Sequence, residues 1–117
     1  MDKKFLGKKG EEEAESYLRE SGYLIVTKNY RKKFGEIDII AKKEETLTFI
    51  EVRSKSDSSL GTPEESIDEN KKKRIRRNAK AYVAFNKYYG ACQIDMISVV
   101  FKKNGLKEIR HYKNIFQ

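Results

Sequence analysis

The sequence is poor in the residues that build covalent and metal frameworks. Its 117 residues include one cysteine, Cys92, and one histidine, His111. One cysteine cannot form a disulfide within the chain, and the two residues together are too few for a zinc site of cysteine and histidine ligands. A Ser-His-Asp or Cys-His catalytic pair would have to use His111, close to the last residue. We therefore do not expect a side-chain nucleophile.

Phosphate-binding glycine motifs and long apolar runs are also missing. The seven glycines match neither the GxGxxG nor the P-loop spacing, so the sequence does not support a dinucleotide or NTP site. The opening MDKKFLGKKG has no apolar segment of the signal-peptide kind, and no stretch approaches the roughly 18 uncharged residues of a membrane span. We expect a cytoplasmic protein that does not bind membranes, with residues 1–117 forming one domain.

Positive charge is in excess, and it is concentrated in one segment. Lys and Arg number 26 against 18 Asp and Glu, which gives a net charge of +8. Residues 71–80, KKKRIRRNAK, hold seven basic residues and no acid, while the other 107 residues are nearly balanced. A basic run can be no more than a solvated helix face. A local excess of this size nevertheless favours a polyanionic partner, because phosphates respond to the local field.

Hydrophobic patterning predicts seven elements in the order α-β-β-β-α-β-β. Helical spacing predicts a first helix over about residues 6–21, and Pro63 with the acidic residues after it predicts a second over about 63–89. Strands rich in β-branched and aromatic residues are predicted at 23–30, 36–42, 46–53, 93–101 and 106–112, with a Ser/Gly/Pro loop over 54–63. This order predicts an α/β fold, a mixed five-stranded sheet flanked by helices.

Two carboxylates, Asp38 and Glu51, interrupt strands that are otherwise apolar. If Glu44 and Glu45 form a two-residue turn, Asp38 lies opposite Glu51, and their Cβ atoms are about 4.5 to 5.5 Å apart. Two opposed carboxylates need a cation between them, and their hard oxygens suit Mg²⁺ or Mn²⁺. Alternatively, each carboxylate points to solvent from a half-buried strand. A one-residue slip in register would separate them.

Two further residues have alternative interpretations. The same register places Arg53 opposite Glu36, so Arg53 is either the ion-pair partner of Glu36 or a catalytic cation. Glu11 lies at the edge of the apolar stripe formed by Ala14 and Leu18 in the first helix. It is either part of the acidic site or a residue that suits the positive end of the helix dipole.

The pattern of an acid on one strand and Glu-x-Arg on the next resembles the PD-(D/E)xK nuclease superfamily, which has the restriction-endonuclease-like fold. Six segments resemble, in order, the motifs of the uncharacterised bacterial YraN family, which is similar to archaeal Holliday-junction resolvases. These segments are LGKKGEEEAESYL, SGYLIVTKNYR, GEIDIIA, FIEVRSK, LGTPEESI and QIDMISV.

The resemblance implies roles for individual residues. Asp38 and Glu51 would bind the metal with the Val52 carbonyl, and Glu11 would assist. Arg53 occupies the position of the catalytic lysine, and because its pKa lies above about 12 it can stabilise phosphate charge but cannot act as a base. Lys55, two residues further on, is a substitute for that lysine if the strand continues. The resemblance to resolvases also implies a homodimer.

The leading hypothesis is a Mg²⁺- or Mn²⁺-dependent endonuclease that acts on structured or single-stranded DNA. Helical geometry places Lys71 on the apolar side of the second helix, toward the sheet. The residues expected to form an outward face that binds nucleic acid are Lys73, Arg76, Arg77 and Lys80. Two alternatives stay open, and the arginine at position 53 favours both: a nucleic-acid-binding module without catalysis, or a protein-interaction subunit with a basic docking helix.

Overall fold

The computed structural model describes residues 2–33, 35–57 and 67–115. The elements are α1 (Lys3–Glu20), β1 (Leu24–Lys32), β2 (Gly35–Lys43), β3 (Thr46–Ser56), α2 (Glu69–Phe85), β4 (Ala91–Phe101) and β5 (Lys107–Tyr112). The predicted element order and fold class are confirmed. No helix in the described ranges is long and apolar enough to cross a membrane.

The five strands form one sheet in the order β1-β2-β3-β4-β5. The pairs β1–β2, β2–β3 and β4–β5 are antiparallel, whereas β3 and β4 are parallel. Parallel neighbours need a long crossover, which here includes α2. The central strand β3 therefore has an antiparallel partner on one side and a parallel partner on the other.

The two helices cover opposite faces of the sheet. Ala14 and Leu18 of α1 are fully buried in one core cluster, which includes Ile39 of β2 and Ile50 of β3. On the other face, Ala79 of α2 joins a second cluster, whose buried strand residues are Ile37, Ile40, Leu47 and Phe49. Every second residue of a strand faces the same helix, so the position of a residue along β2 or β3 decides which helix it meets.

The predicted hairpin register is confirmed over five residue pairs, from Lys43 with Thr46 to Ile39 with Ile50. Glu44 and Glu45 form the two-residue turn, with φ angles of 48° and 67°. Two successive left-handed residues are the signature of a type I′ turn, which normally uses Asn and Gly. The tight turn therefore forms even though both positions carry side chains that disfavour it.

The boundaries of α2 differ from the prediction. The Asp68 carboxylate accepts a 2.8 Å hydrogen bond from the Lys71 backbone N–H, so this cap starts the helix at Glu69. Of the residues before it, Ile67 and Asp68 are not helical, and positions 58–66, which include Pro63, lie outside the described residues. Strand β3 continues to Ser56, and α2 ends at Phe85.

Candidate metal and phosphate site

The site begins where β2 and β3 separate. Their ladder ends at Ile39 and Ile50, one residue before Asp38 and Glu51 would face each other. Beyond this point the Asp38 side chain replaces the backbone as the hydrogen-bond acceptor for β3, since its Oδ2 accepts a 2.8 Å hydrogen bond from the Val52 N–H. The Asp38 carboxylate is therefore held in the opening between the two strands.

A break in strand alternation explains why Asp38 lies in this opening. Lys28 and Ile39 are paired across β1 and β2, and both meet the α1 side of the sheet, where Lys28 binds Glu15. Tyr30 and Ile37, two residues away on each strand, pack on the α2 side. Residues two apart normally share a face, so the alternation breaks between these pairs, at Asn29 and Asp38. Asn29 has a φ of 52°, a left-handed conformation that asparagine tolerates.

Three carboxylates come together on the α1 side of this opening. One ligand oxygen each from Glu11, Glu36 and Asp38 lies within 4.8 Å of the others, and all three residues are partly buried. The Asn29 amide, oriented as a donor, bonds Glu11 Oε1 at 2.8 Å and Glu36 Oε1 at 3.1 Å. Helix α1 thus contributes one carboxylate and strand β2 contributes two.

Glu51 lies on the α2 side, is 5% exposed, and faces two cations. Its Oε1 is 3.5 Å from the Arg53 Nε and 3.5 Å from the Lys71 Nζ. The interpretation of Arg53 as the partner of Glu36 is wrong, because Glu36 pairs with Arg31 across the β1–β2 ladder, at 3.1 Å. The prediction that Lys71 faces the sheet is confirmed.

Burial, and then crowding, raises the pKa values of the carboxylates. Burial, followed by the charges of Asp38 and Glu36, raises the pKa of Glu11 to about 7. Burial and then the Asp38 charge raise the pKa of Glu51 to about 7, although Lys71 and Arg53 oppose the shift. Burial also raises the pKa of Asp38, against the lowering effect of the Val52 hydrogen bond. The site therefore holds protons near neutral pH, where ordinary carboxylates are ionised.

The arrangement fits a divalent cation. The oxygens are hard ligands of the kind that Mg²⁺ and Mn²⁺ prefer, and a cation would offset both the burial and the mutual repulsion that raise the carboxylate pKa values. A cavity of about 110 Å³ opens beside Glu11, Asn29 and Asp38. Liquid water occupies about 30 Å³ a molecule, so the cavity has room for an ion with several water ligands.

The remaining predicted site residues lie on two neighbouring surfaces. Lys55 lies near the end of β3 on the side that carries Glu51 and Arg53, because the strand continues to Ser56. The four basic residues predicted on the outward face of α2 line one shallow depression, and they are Lys73, Arg76, Arg77 and Lys80. The Val52 N–H donates a hydrogen bond to Asp38. The role of the Val52 carbonyl as a metal ligand stays a prediction.

Sequence reasoning missed Glu36 as a member of the acidic cluster. If the hairpin register continued, Glu36 would lie opposite Arg53, but the β2–β3 ladder ends at Ile39 and Ile50. Asn29 was the available signal, because an asparagine within a strand marks a position where left-handed backbone is tolerated.

Comparison with known proteins gives one consistent result. The model of the "Uncharacterised protein family UPF0102" matches residues 10–99. A UPF0102 protein of Carboxydothermus hydrogenoformans is 44% identical over 116 residues, which cover 98% of each chain. A UPF0102 protein of Desulforamulus reducens is 42% identical over 118 residues, with 97% of each chain covered. One of Persephonella marina is 44% identical over 111 residues, 94% of this chain and 91% of its own.

Proposed function

The chain belongs to the uncharacterised protein family UPF0102, and from the geometry of its site we propose that it is a metal-dependent endonuclease that hydrolyses phosphodiester bonds of structured or single-stranded DNA. Membership confirms the resemblance to the YraN family that the six motifs predict. Membership in the PD-(D/E)xK superfamily is part of the proposal. The observation that carries it is the convergence of Glu11, Glu36 and Asp38 at the β2–β3 opening, with Glu51 and its two cations on the other side of the opening.

The division of charge across the opening supports phosphodiester chemistry. Carboxylates lie on the α1 side, while Arg53 and Lys71 lie on the α2 side and share Glu51. A phosphodiester presents one negative group that needs cations on its equatorial oxygens while its phosphorus is attacked. A site with hard anionic ligands beside fixed cations meets both needs.

Each residue has a separate task in the proposed reaction. Asp38, Glu11 and Glu36, whose ligand oxygens lie within 4.8 Å of one another, would hold Mg²⁺ or Mn²⁺. Glu51 and the Val52 carbonyl are the further ligands that the resemblance implies. When bound, such an ion lowers the pKa of a water and orients it for in-line attack on phosphorus. Arg53 donates to the oxyanion of the pentacovalent transition state and, being permanently protonated, does not act as the base. Lys71 and Lys55 add positive charge on the same side.

The outward face of α2 provides binding without chemistry. Lys73, Arg76, Arg77 and Lys80 line their depression together, and Lys71 on the same helix reaches Glu51. One helix therefore connects the proposed polyanion surface to the acidic site. A nucleic acid bound along this helix would bring one of its phosphates toward Glu51.

A non-catalytic nucleic-acid-binding module is the second candidate. It is favoured by Arg53, because an arginine in the lysine position cannot take part in proton transfer. Both candidates predict affinity for nucleic acid, and only the first predicts turnover.

The test is incubation of the purified protein with junctions, flaps, single strands and duplexes in Mg²⁺ or Mn²⁺. Asp38→Asn removes the central carboxylate charge, and Asp57→Asn makes the same change at an exposed position at the end of β3. We expect cleavage by the wild type and Asp57→Asn and none by Asp38→Asn. Binding without cleavage by any protein would establish the non-catalytic module. Weak binding at physiological salt would instead favour the protein-interaction subunit.

A further inference from the structure

A second cleft lies beside the acidic site, between the start of α1 and the end of β3. It has a volume of about 370 Å³ and is lined by Lys3, Leu6 and Gly7 of α1 together with residues 52–55 of β3. Because β2 pairs with β3 only as far as Ile50, the edge of β3 in this region has no β2 backbone against it. The cleft reaches around that edge to residues on both faces of the strand.

The cleft has the charge of an anion-binding site. The ionisable side chains among its described lining residues are Lys3, Arg53 and Lys55, all of them cations. Three cations around one concave surface concentrate a positive potential in it, which attracts an oxyanion.

Two buried polar atoms of the lining also lack hydrogen-bond partners within the ranges that the structure describes. They are the Nε of Arg53 and the Oγ of Ser54, and both can donate a hydrogen bond. Arg53 Nε is 3.5 Å from Glu51, which is an ion-pair distance and does not form a hydrogen bond here. Unsatisfied buried donors are rare in proteins, and an oxyanion bound in the cleft would offer acceptors to both.

Both walls of the cleft lead along the chain to residues of the acidic site. On β3, Val52 donates to Asp38 and Arg53 faces Glu51, and both residues line the cleft. On α1, Gly7 lies one helical turn before Glu11 on the same side, about 6 Å along the axis. A strand with one phosphate at the carboxylates could therefore place a neighbouring phosphate between Gly7 and Lys55.

We propose that this cleft binds a backbone phosphate of the nucleic-acid strand, next to the phosphate at the carboxylates. The proposal rests on the proposed function for the position of the second phosphate. Phosphate binding in the cleft itself does not depend on catalysis or on a metal. The proposal adds Lys3 and Ser54 to the substrate site, together with Arg53 and Lys55.

Gly7 allows a sharp test, because a Cβ added there meets nothing within 4 Å. Gly7→Glu would project a carboxylate into the cleft, and Gly7→Gln would add nearly the same volume without charge. Both side chains also favour helix more than glycine does. Ser16→Glu is the control for the added charge, because residue 16 is exposed and lies roughly 180° around the helix from residue 7.

The readout is the affinity for a single-stranded oligonucleotide in EDTA, measured by fluorescence anisotropy over a range of salt. Loss of one single-strand phosphate contact lowers the slope of log K against log salt by about 0.7. We expect this drop for Gly7→Glu, with Gly7→Gln and Ser16→Glu close to the wild type. Equal slopes for all four proteins would overturn the proposal, as would failure of the wild type to bind.

Neutral methylphosphonate linkages then locate the contact. Placed one at a time along the strand, one linkage should weaken binding to the wild type and have no effect on Gly7→Glu. Sensitivity confined to a terminal phosphate would overturn the assignment to a phosphate within the strand. Because all arms omit metal, a protein that passes them without cleaving DNA retains the phosphate subsite and loses only the proposed nuclease function.

Discussion

The backbone N–H of Val52 donates a 2.8 Å hydrogen bond to the Asp38 carboxylate at the point where β2 and β3 part. The Asp38 side chain accepts a hydrogen bond that a β2 carbonyl would accept in a regular ladder. The same hydrogen bond therefore accompanies the opening of the hairpin and fixes the position of the carboxylate. Glu11 approaches from α1 and Glu51 from β3, and burial, followed by the charge of Asp38, raises the pKa values of both.

Stability of the metal-free protein should fall as pH rises. The folded state holds protons on Glu11 and Glu51 up to about pH 7, whereas the unfolded chain releases them near pH 4.5. Between these values the folded state binds more protons, so the free energy of unfolding decreases with pH. We expect a loss of the order of 1 to 3 kcal/mol from pH 4.5 to 8, mostly from Glu51, since solvent screens the partly exposed Glu11.

Urea titrations in EDTA at pH 4.5, 6 and 8 measure this effect. Asp38→Asn should flatten the dependence, because it removes the charge that helps to raise both pKa values. Mn²⁺ should reverse it, stabilising the wild type more at pH 8 than at pH 5.5, since the ion competes with protons for the carboxylates. A wild type whose stability rises from pH 4.5 to 8 in EDTA would contradict the assignment of raised pKa values.

Arg53→Ala should abolish cleavage with little change in DNA affinity. Removing one donor to a transition-state oxyanion typically costs about a hundredfold or more in rate. Arg53→Lys should retain or raise cleavage, because lysine supplies the same charge. The control is Arg19→Ala, which breaks an exposed pair with Glu15 and should cost less than about 1 kcal/mol. Single-turnover rates that are equal for wild type and Arg53→Ala would remove Arg53 from the mechanism.

The basic face of α2 should dominate the salt dependence of duplex binding. Replacing Lys73, Arg76, Arg77 and Lys80 by Gln should lower the slope of log K against log salt by up to about 3.6, from about 0.9 per contact. A matched variant replaces four exposed lysines around β5 by Gln, namely Lys102, Lys103, Lys107 and Lys113. It removes the same charge and should change the slope little. Equal effects of the two variants would show that only net charge matters.

Lys71→Ala should lower turnover more than affinity. Lys71 reaches Glu51, and its charge also lowers the pKa of that carboxyl, so its loss should move the pH midpoint of metal binding upward. Lys72→Ala is the control one residue away, where the side chain pairs with Glu69 at the helix surface. Comparison of kcat with Kd, and Mn²⁺ titrations over pH 5.5 to 8, measure both effects. Identical profiles for the two variants would assign Lys71 to the solvated surface.

Gly10 should tolerate substitution much less than Gly7. A Cβ at Gly10 would collide with the Ser54 side chain, whereas one at Gly7 meets open space. Gly7→Ala should therefore stabilise the protein by about 0.5 to 1 kcal/mol through helix propensity. Gly10→Ala should destabilise it by about 1 to 3 kcal/mol and weaken metal binding, because α1 carries Glu11. Equal unfolding free energies of the two variants would contradict the close packing of α1 on β3.

The fold and the hairpin register could be predicted because local patterns determine them. Five β2–β3 pairs follow from a two-residue turn at Glu44 and Glu45, and burial of both strands leaves little freedom to slip. The same reasoning placed Asp38 opposite Glu51, but the ladder ends one residue earlier, and the ligand oxygens that converge with Asp38 are those of Glu11 and Glu36. The direction of Lys71 followed from helical geometry alone, which depends only on its distance from Ile75 along the chain.

The rest of the site depends on where regular structure stops. A ladder extended past Ile39 predicts that Glu36 lies opposite Arg53. In the structure the left-handed backbone at Asn29 breaks the strand alternation, and the Asn29 amide bonds both Glu36 and Glu11. Glu13 and Glu15 of α1 pair with Lys107 and Lys28 of the sheet. These contacts join segments that are distant in sequence, and periodicity within one segment contains no information about them.

The central claim, that the carboxylates at the β2–β3 opening hold a divalent metal, is tested most directly by anomalous diffraction from crystals soaked in Mn²⁺ at pH 8. We predict a peak about 2.0 to 2.3 Å from an Asp38 oxygen and at ligand distance from at least one oxygen of Glu11, Glu36 or Glu51. Crystals of Asp38→Asn should lack the peak while retaining the fold. A soaked wild-type crystal with no anomalous peak at Asp38, or with Mn²⁺ bound only elsewhere, would contradict the account.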